Sequence, residues 1–114
     1  MDKYSEPLDN VFHALADPTR RAVIQRLGNG PASVSELAGP FDMALPSFMK
    51  HLNVLEKSGL IRSRKSGRVR IVEIKPGQLN QVESWLAEQR ALWQGRTDRL
   101  ENYVMELQAK EEDQ

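Results

Sequence analysis

Cysteine is absent from all 114 positions, which excludes disulfides and thiolate metal sites and fits a reducing cytoplasm. Histidine is scarce: with only His13 and His51, a transition-metal site would have to lean on carboxylates, and none is expected. No apolar run approaches the roughly 20 residues that span a bilayer. The opening Met1-Asp2-Lys3-Tyr4-Ser5-Glu6 lacks the basic-then-apolar layout of a secretion signal. The expectation is a cytoplasmic chain without a membrane partner. Catalytic signatures are missing too. There is no Gly-rich phosphate loop, no HExxH, and no spacing of Ser, His and Asp that suggests a triad. Neither an enzyme activity nor a cofactor is expected.

Net charge is also lacking, with 16 basic and 16 acidic residues, but that zero hides an asymmetry. Across 44–75 there are eight Lys/Arg against Glu56 and Glu73, a local excess of six. The rest of the chain therefore carries six net negative charges. A cationic window of this kind is the electrostatic footprint of a polyanion partner.

The length suits one domain with one modest core. Residues 1–7 are expected to be a flexible N-terminus, 8–107 the domain, and 108–114, with Glu111, Glu112 and Asp113, a flexible acidic tail. Leu8, Val11, Phe12 and Leu15 recur at the spacing of an amphipathic helix. Asp17-Pro18 stops it and opens a second helix, with Asp17 as N-cap and Pro18 at the first helical position; Val23, Ile24 and Leu27 are its apolar face. Ser33 and Glu36 have capping-box spacing for a short third helix that buries Val34, Leu37 and Ala38. A fourth helix over 44–58 carries an inner stripe of Leu45, Phe48, Leu52 and Leu55, with Gly59 as its C-terminal cap. Two strands over 61–74 turn at Ser66-Gly67.

The last element repeats an apolar residue every seven positions at Leu79, Leu86, Trp93, Leu100 and Leu107, with Val82 and Tyr103 three further on. Gln89 and Arg96 interrupt the intermediate slots, and Gly95 weakens the middle by about 1 kcal/mol relative to alanine. A long helix, bent at Gly95, fits better than a clean coiled coil. Its stripe either packs back on the protomer's own core or joins the first helix in a two-fold interface. Roughly 30 residues make about 45 Å of helix, more than so small a globule covers, which favours the interface. Leu8, Phe12, Leu86, Trp93, Leu100 and Tyr103 are its candidate residues.

The expected fold is mainly α with a β-hairpin wing: a winged helix-turn-helix of about five helices, acting as a dimer. At 100° per residue, Ser47, Lys50 and Val54 lie opposite the inner stripe of the fourth helix, with Met49 and His51 on its flanks. Pro46, Ser47, Lys50 and His51 are the candidates for the major groove of duplex DNA, whose base edges offer hydrogen bonds that such side chains meet. Arg62, Arg64, Lys65, Arg68 and Arg70 on the hairpin are candidates for the phosphate backbone or minor groove. The plainer readings are an ordinary polar helix face and a cation-guarded sheet edge. Arg20 falls among Val23 and Ile24 on an apolar face, so its charge needs a partner there. Asp17, Glu36 or Glu56 are the candidates for a structural ion pair.

These residues together resemble the ArsR-type winged-helix repressors, in the branch without metal ligands. Residues 14–21 resemble the family's second-helix opening, and 34–38 its first DNA-binding helix. Residues 46–52 and 54–61 resemble the recognition helix and the start of the wing, and Gly67-Arg68 the wing tip. The resemblance implies a homodimer, paired through its first and last helices, that represses transcription by binding a palindromic operator. The family often has serines where this chain has Ala44 and Met49; since alanine has no side-chain cap, Asp42 is expected to substitute. The metal-sensing cysteines and histidines have no counterpart, and no small-molecule effector is assigned. The reading from another class is a winged-helix module whose basic ribbon docks an acidic protein.

Overall fold

A computed structural model describes residues 5–112. In chain order its elements are α1 (Ser5–Leu15), α2 (Pro18–Leu27), β1 (Ala32–Ser33), α3 (Val34–Ala38), α4 (Leu45–Lys57), β2 (Ile61–Ser66), β3 (Val69–Ile74) and α5 (Pro76–Glu112). The chain divides into two compact units, 1–82 and 83–114. Residues 1–4 and 113–114 of the expected flexible ends lie outside the described residues. The boundaries expected at 8 and 107 both fall inside helices.

The local signals that start and stop the helices are formed as anticipated. Asp17 caps α2 by accepting the main-chain N–H of Arg20 at 3.1 Å, with Pro18 following. Ser33 and Glu36 close a reciprocal capping box on α3. α4 ends in a Schellman motif. Gly59, at φ +80°, supplies the left-handed residue; Leu60 N–H reaches Leu55 C=O and Gly59 N–H reaches Glu56 C=O. The motif turns the chain so that Leu60 is fully buried and β2 starts directly beneath α4.

The N-terminus of α4 differs from expectation. Ala44 is its N-cap and no side chain caps it, Asp42 included; Pro46, which has no N–H to satisfy, sits in the first turn instead. Leu45 is 56% exposed rather than part of the inner stripe, because it is the first helical residue and overhangs the edge of the core. Phe48, Leu52 and Leu55 do point inward and are buried. On α1, Ala14 takes the buried place that the stripe assigned to Phe12, which is 43% exposed. Leu8, Val11, Val23, Leu27, Leu37 and Val72 complete the centre of the core of the first unit.

The sheet has three strands in the order β1-β3-β2, all antiparallel. The third strand, β1, was not anticipated. It is two residues long and pairs Ala32 with Val72 and Ser33 with Ile71, covering the edge of β3 away from β2. Ser66 opposes Val69, so the two-residue turn is Gly67-Arg68, one place later than Ser66-Gly67. Gly67 at φ +65° occupies the first central position, the arrangement of a type II′ hairpin, whose twist matches the flanking strands.

α5 is assigned as one continuous helix through Gly95. Its stretch beyond residue 82 has no buried core of its own. Leu92, Trp93, Leu100, Tyr103 and Met105 are all exposed. No helix is long and apolar enough to cross a membrane among the described residues.

Candidate nucleic-acid interface

The first turns of α4 present Pro46, Ser47 and Lys50 to solvent, as the helical angles required. Met49 and Asn53 are exposed one step around the helix, toward the hairpin. Between α4 and the hairpin runs an open groove of about 430 Å³, walled by Pro46, Met49, Lys50 and Asn53 on one side and Ile61, Ser63 and Arg70 on the other. Asn53 escaped the sequence reading. Spacing alone would have found it, since 46, 49, 50 and 53 share one side of a 3.6-residue helix.

His51 is not part of that outer face. It is half-buried and turned toward the start of α2, with Nδ1 3.6 Å from Asp17 Oδ2 and 3.3 Å from Arg20 Nη1. Arg20 is paired, as its position demanded, but not by a guanidinium–carboxylate bridge. Its Nε donates to Ala14 C=O at 2.7 Å and its Nη2 to His13 C=O at 3.1 Å. These are carbonyls of the last turn of α1, the negative end of that helix's dipole, where a cation is stabilised. Of the three carboxylates considered, Glu36 pairs with Arg26, Glu56 accepts from Ser63, and Asp17 takes the main-chain N–H of Arg20.

Asp17 thus serves α2 and α4 together. Partial burial, the largest single influence, works to raise its pKa. The Arg20 N–H, the charges of His51 and Arg20, and the Thr19 N–H outweigh it and hold the carboxyl below its ordinary value. A carboxyl depressed on folding adds stability that is present above about pH 4, its unfolded pKa, and is lost as pH falls through the folded value. Asp17→Ala therefore costs about 1 kcal/mol at neutral pH, and the difference from wild type shrinks as thermal melts are taken toward pH 3. Asp17→Asn, which keeps the cap acceptor, loses less.

On the hairpin the cations divide by strand geometry. Lys65 and Arg70 are cross-strand partners on the face shared with Ser63 and Val72, whereas Arg62 and Arg64 lie on the opposite face. Arg68 belongs to the turn rather than to either strand. Arg62 is engaged: its Nε donates to Glu73 Oε1 at 2.6 Å. Lys50, Arg64, Lys65 and Arg68 make no hydrogen bond or ion pair among the described residues and are exposed. A second recess, of about 280 Å³, brings Ser35 of α3 beside Met49 and the Arg68–Arg70 segment, so α3, α4 and the hairpin converge at the start of β3. Among the described residues no cluster of three metal-ligating side chains forms.

A polar helix face flanked by an uncompensated cationic ribbon can place a helix in the major groove and bracket the adjoining phosphates. Comparisons with known proteins agree with that geometry. Residues 15–64 match a helix-turn-helix domain family. The HTH-type transcriptional regulator Rv2034 of Mycobacterium tuberculosis is 40% identical over 76 residues, covering 67% of this chain and 70% of that protein. The transcriptional repressor SdpR of Bacillus subtilis is 29% identical over 79 residues, 69% of this chain and 88% of its own. The crystal structure of an ArsR family transcriptional regulator, RHA00566, superposes with a TM-score of 0.77 at 62% identity over 82% of this chain and 97% of that one. Capped helices, hairpin register and these likenesses together show that the chain belongs to the ArsR-type winged helix-turn-helix transcriptional regulators, DNA-binding proteins and not enzymes.

Proposed function

We propose that this protein is a homodimeric repressor that binds a palindromic operator through α4 and the β2–β3 wing. The observation that carries the reading is the uncompensated charge of Arg64, Lys65 and Arg68 beside the exposed face of Pro46, Ser47 and Lys50. Ser47 and Lys50, near the start of α4, reach base edges. Arg64, Lys65, Arg68 and Arg70 grip the backbone or the minor groove. His51, held by Asp17 and Arg20, fixes the angle of α4 on α2 and so holds rather than reads the groove. Arg62 shares its charge with Glu73 and grips less. The second copy is paired through Phe12, Leu86, Trp93, Leu100 and Tyr103. Leu8, buried in the protomer's own core, is left out of that pairing. Repression follows if the operator overlaps a promoter, a role that the name of SdpR carries for that relative.

Selection of bound fragments from genomic DNA with the purified protein tests the reading. One symmetric site with half-sites about one helical turn apart is expected. Recovery of no preferred fragment, together with capture of an acidic protein by the same surface, overturns it. Lys50→Ala then lowers affinity for the selected site by about 1–3 kcal/mol per half-site while random duplex suffers much less. A competition binding assay at fixed salt separates the two effects.

A further inference from the structure

The cationic window contains only two acids, Glu56 and Glu73, and both are spent on arginines of the wing. Glu73 pairs directly with Arg62. Glu56 acts through an intermediary: its Oε1 accepts the Ser63 hydroxyl at 3.1 Å, and Ser63 Oγ in turn accepts Arg70 Nη1 at 3.0 Å. Helix α4 is thereby tied to both strands of the hairpin by side chains alone. Ser63 and Arg70 are diagonal neighbours on one face of the ribbon, so the register places them for this contact.

An acid lining a groove that faces DNA is otherwise hard to explain, because it repels phosphate. It does not read bases either. Base-reading side chains come from the start of a recognition helix, and Glu56 is one residue from the end of α4. Orientation of Arg70 accounts for it. A free arginine samples many rotamers and loses that freedom on binding, and an arginine already aimed loses less. The carboxylate also makes the groove unfavourable to a backbone that does not lie where Arg70 can reach it, and such a repulsive element sharpens discrimination.

We propose that Glu56 and Ser63 are positioning residues for operator recognition, holding the Arg70 guanidinium over the groove between α4 and the wing so that it meets the DNA already oriented. The inference rests on the DNA-facing placement of the wing proposed above, and its test separates the two. Binding of the full-length protein to its genomically selected duplex and to random duplex is measured by fluorescence anisotropy across a salt series. Arg70→Ala lowers affinity for both duplexes and reduces the slope of log affinity against log salt by about 0.9 per half-site. Ser63→Ala keeps the charge, so the slope stays as in wild type while affinity for the selected duplex falls about threefold to tenfold, the range for one lost hydrogen bond. Ser63→Thr, which retains the hydroxyl and suits a strand, restores that affinity. Glu56→Gln keeps the acceptor oxygen, so selected-duplex binding is preserved and random-duplex binding rises. Ser63→Ala indistinguishable from wild type, or a failed rescue by threonine, overturns the positioning role. Arg70→Ala with wild-type affinity and slope overturns the placement of the wing itself.

Discussion

Replacing Arg64, Lys65 and Arg68 together with alanine weakens operator binding by about a hundredfold per half-site at 0.15 M salt, and lowers the salt slope by about 2.7 per half-site. The size follows from counterion release. Each phosphate neutralised frees about 0.9 of a condensed cation, and at 0.15 M each release contributes roughly three-quarters of a log unit. Three contacts sum to a little over two log units. The three residues are chosen because they are exposed and carry no partner among the described residues, so their charge is available to DNA without breaking anything first. For the same reason the fold is spared. Exposed side chains without special contacts change stability by about half a kcal/mol or less, and thermal melts of the triple variant should overlay the wild type. Affinity for random duplex falls with that for the operator, since phosphate contacts carry no sequence information. Electrophoretic mobility shifts at 50, 100 and 200 mM salt measure both quantities. A triple variant whose slope equals that of wild type would mean that the wing does not touch the backbone.

The contrast between that wing and the rest of the site shows what a linear sequence reveals. Caps were legible because they are made by neighbours in the chain: Asp17 with Arg20, Ser33 with Glu36, Gly59 with the turn before it. The inner face of α4 was legible at Phe48, Leu52 and Leu55 because periodicity gives angle. It failed at Leu45 because angle is not depth, and the first residue of a helix can overhang its support. Strand β1 was invisible: two residues have no period, and only their pairing with Val72 and Ile71 defines them. The turn slipped by one place since Ser66-Gly67 and Gly67-Arg68 are both acceptable dipeptides, and cross-strand register alone chooses. The position of Arg20 among apolar neighbours marks its need for a partner, but the main-chain carbonyls that meet it leave no mark in a sequence, whereas carboxylates do. His51 shows the same limit over a longer span. Its contact with Asp17 joins residues 34 places apart, and no local pattern marks it.

Glutamate at both Trp93 and Leu100 converts the protein to a monomer and lowers operator affinity by a factor of about a hundred to ten thousand, the usual advantage of binding two linked half-sites over one. Both residues are exposed, at 57% and 63%, on a helix whose segment beyond residue 82 buries nothing of its own. Leu86, Trp93, Leu100 and Leu107 recur every seven residues, a stripe that drifts only about 20° per repeat along a straight helix. It therefore stays on one side for the whole segment, as a surface for a second helix must. Most helical stability in proteins comes from packing an apolar face rather than from propensity, and Gly95 weakens the middle of this helix further. In the proposed dimer, a partner helix laid along the stripe supplies the missing burial. Two charges placed in the stripe remove that burial on both protomers at once. Sedimentation velocity at micromolar concentration then reports a species of about 13 kDa instead of twice that mass. Circular dichroism reports a loss of helix confined to what residues 83–112 contribute, while the core around Phe48, Leu55 and Leu60 still melts cooperatively. Binding to an isolated half-site should persist in the variant, because the face of α4 and the wing is untouched. A wild-type protein that sediments as a monomer, or a double variant that binds the full operator as tightly as wild type, would remove the second copy from the mechanism.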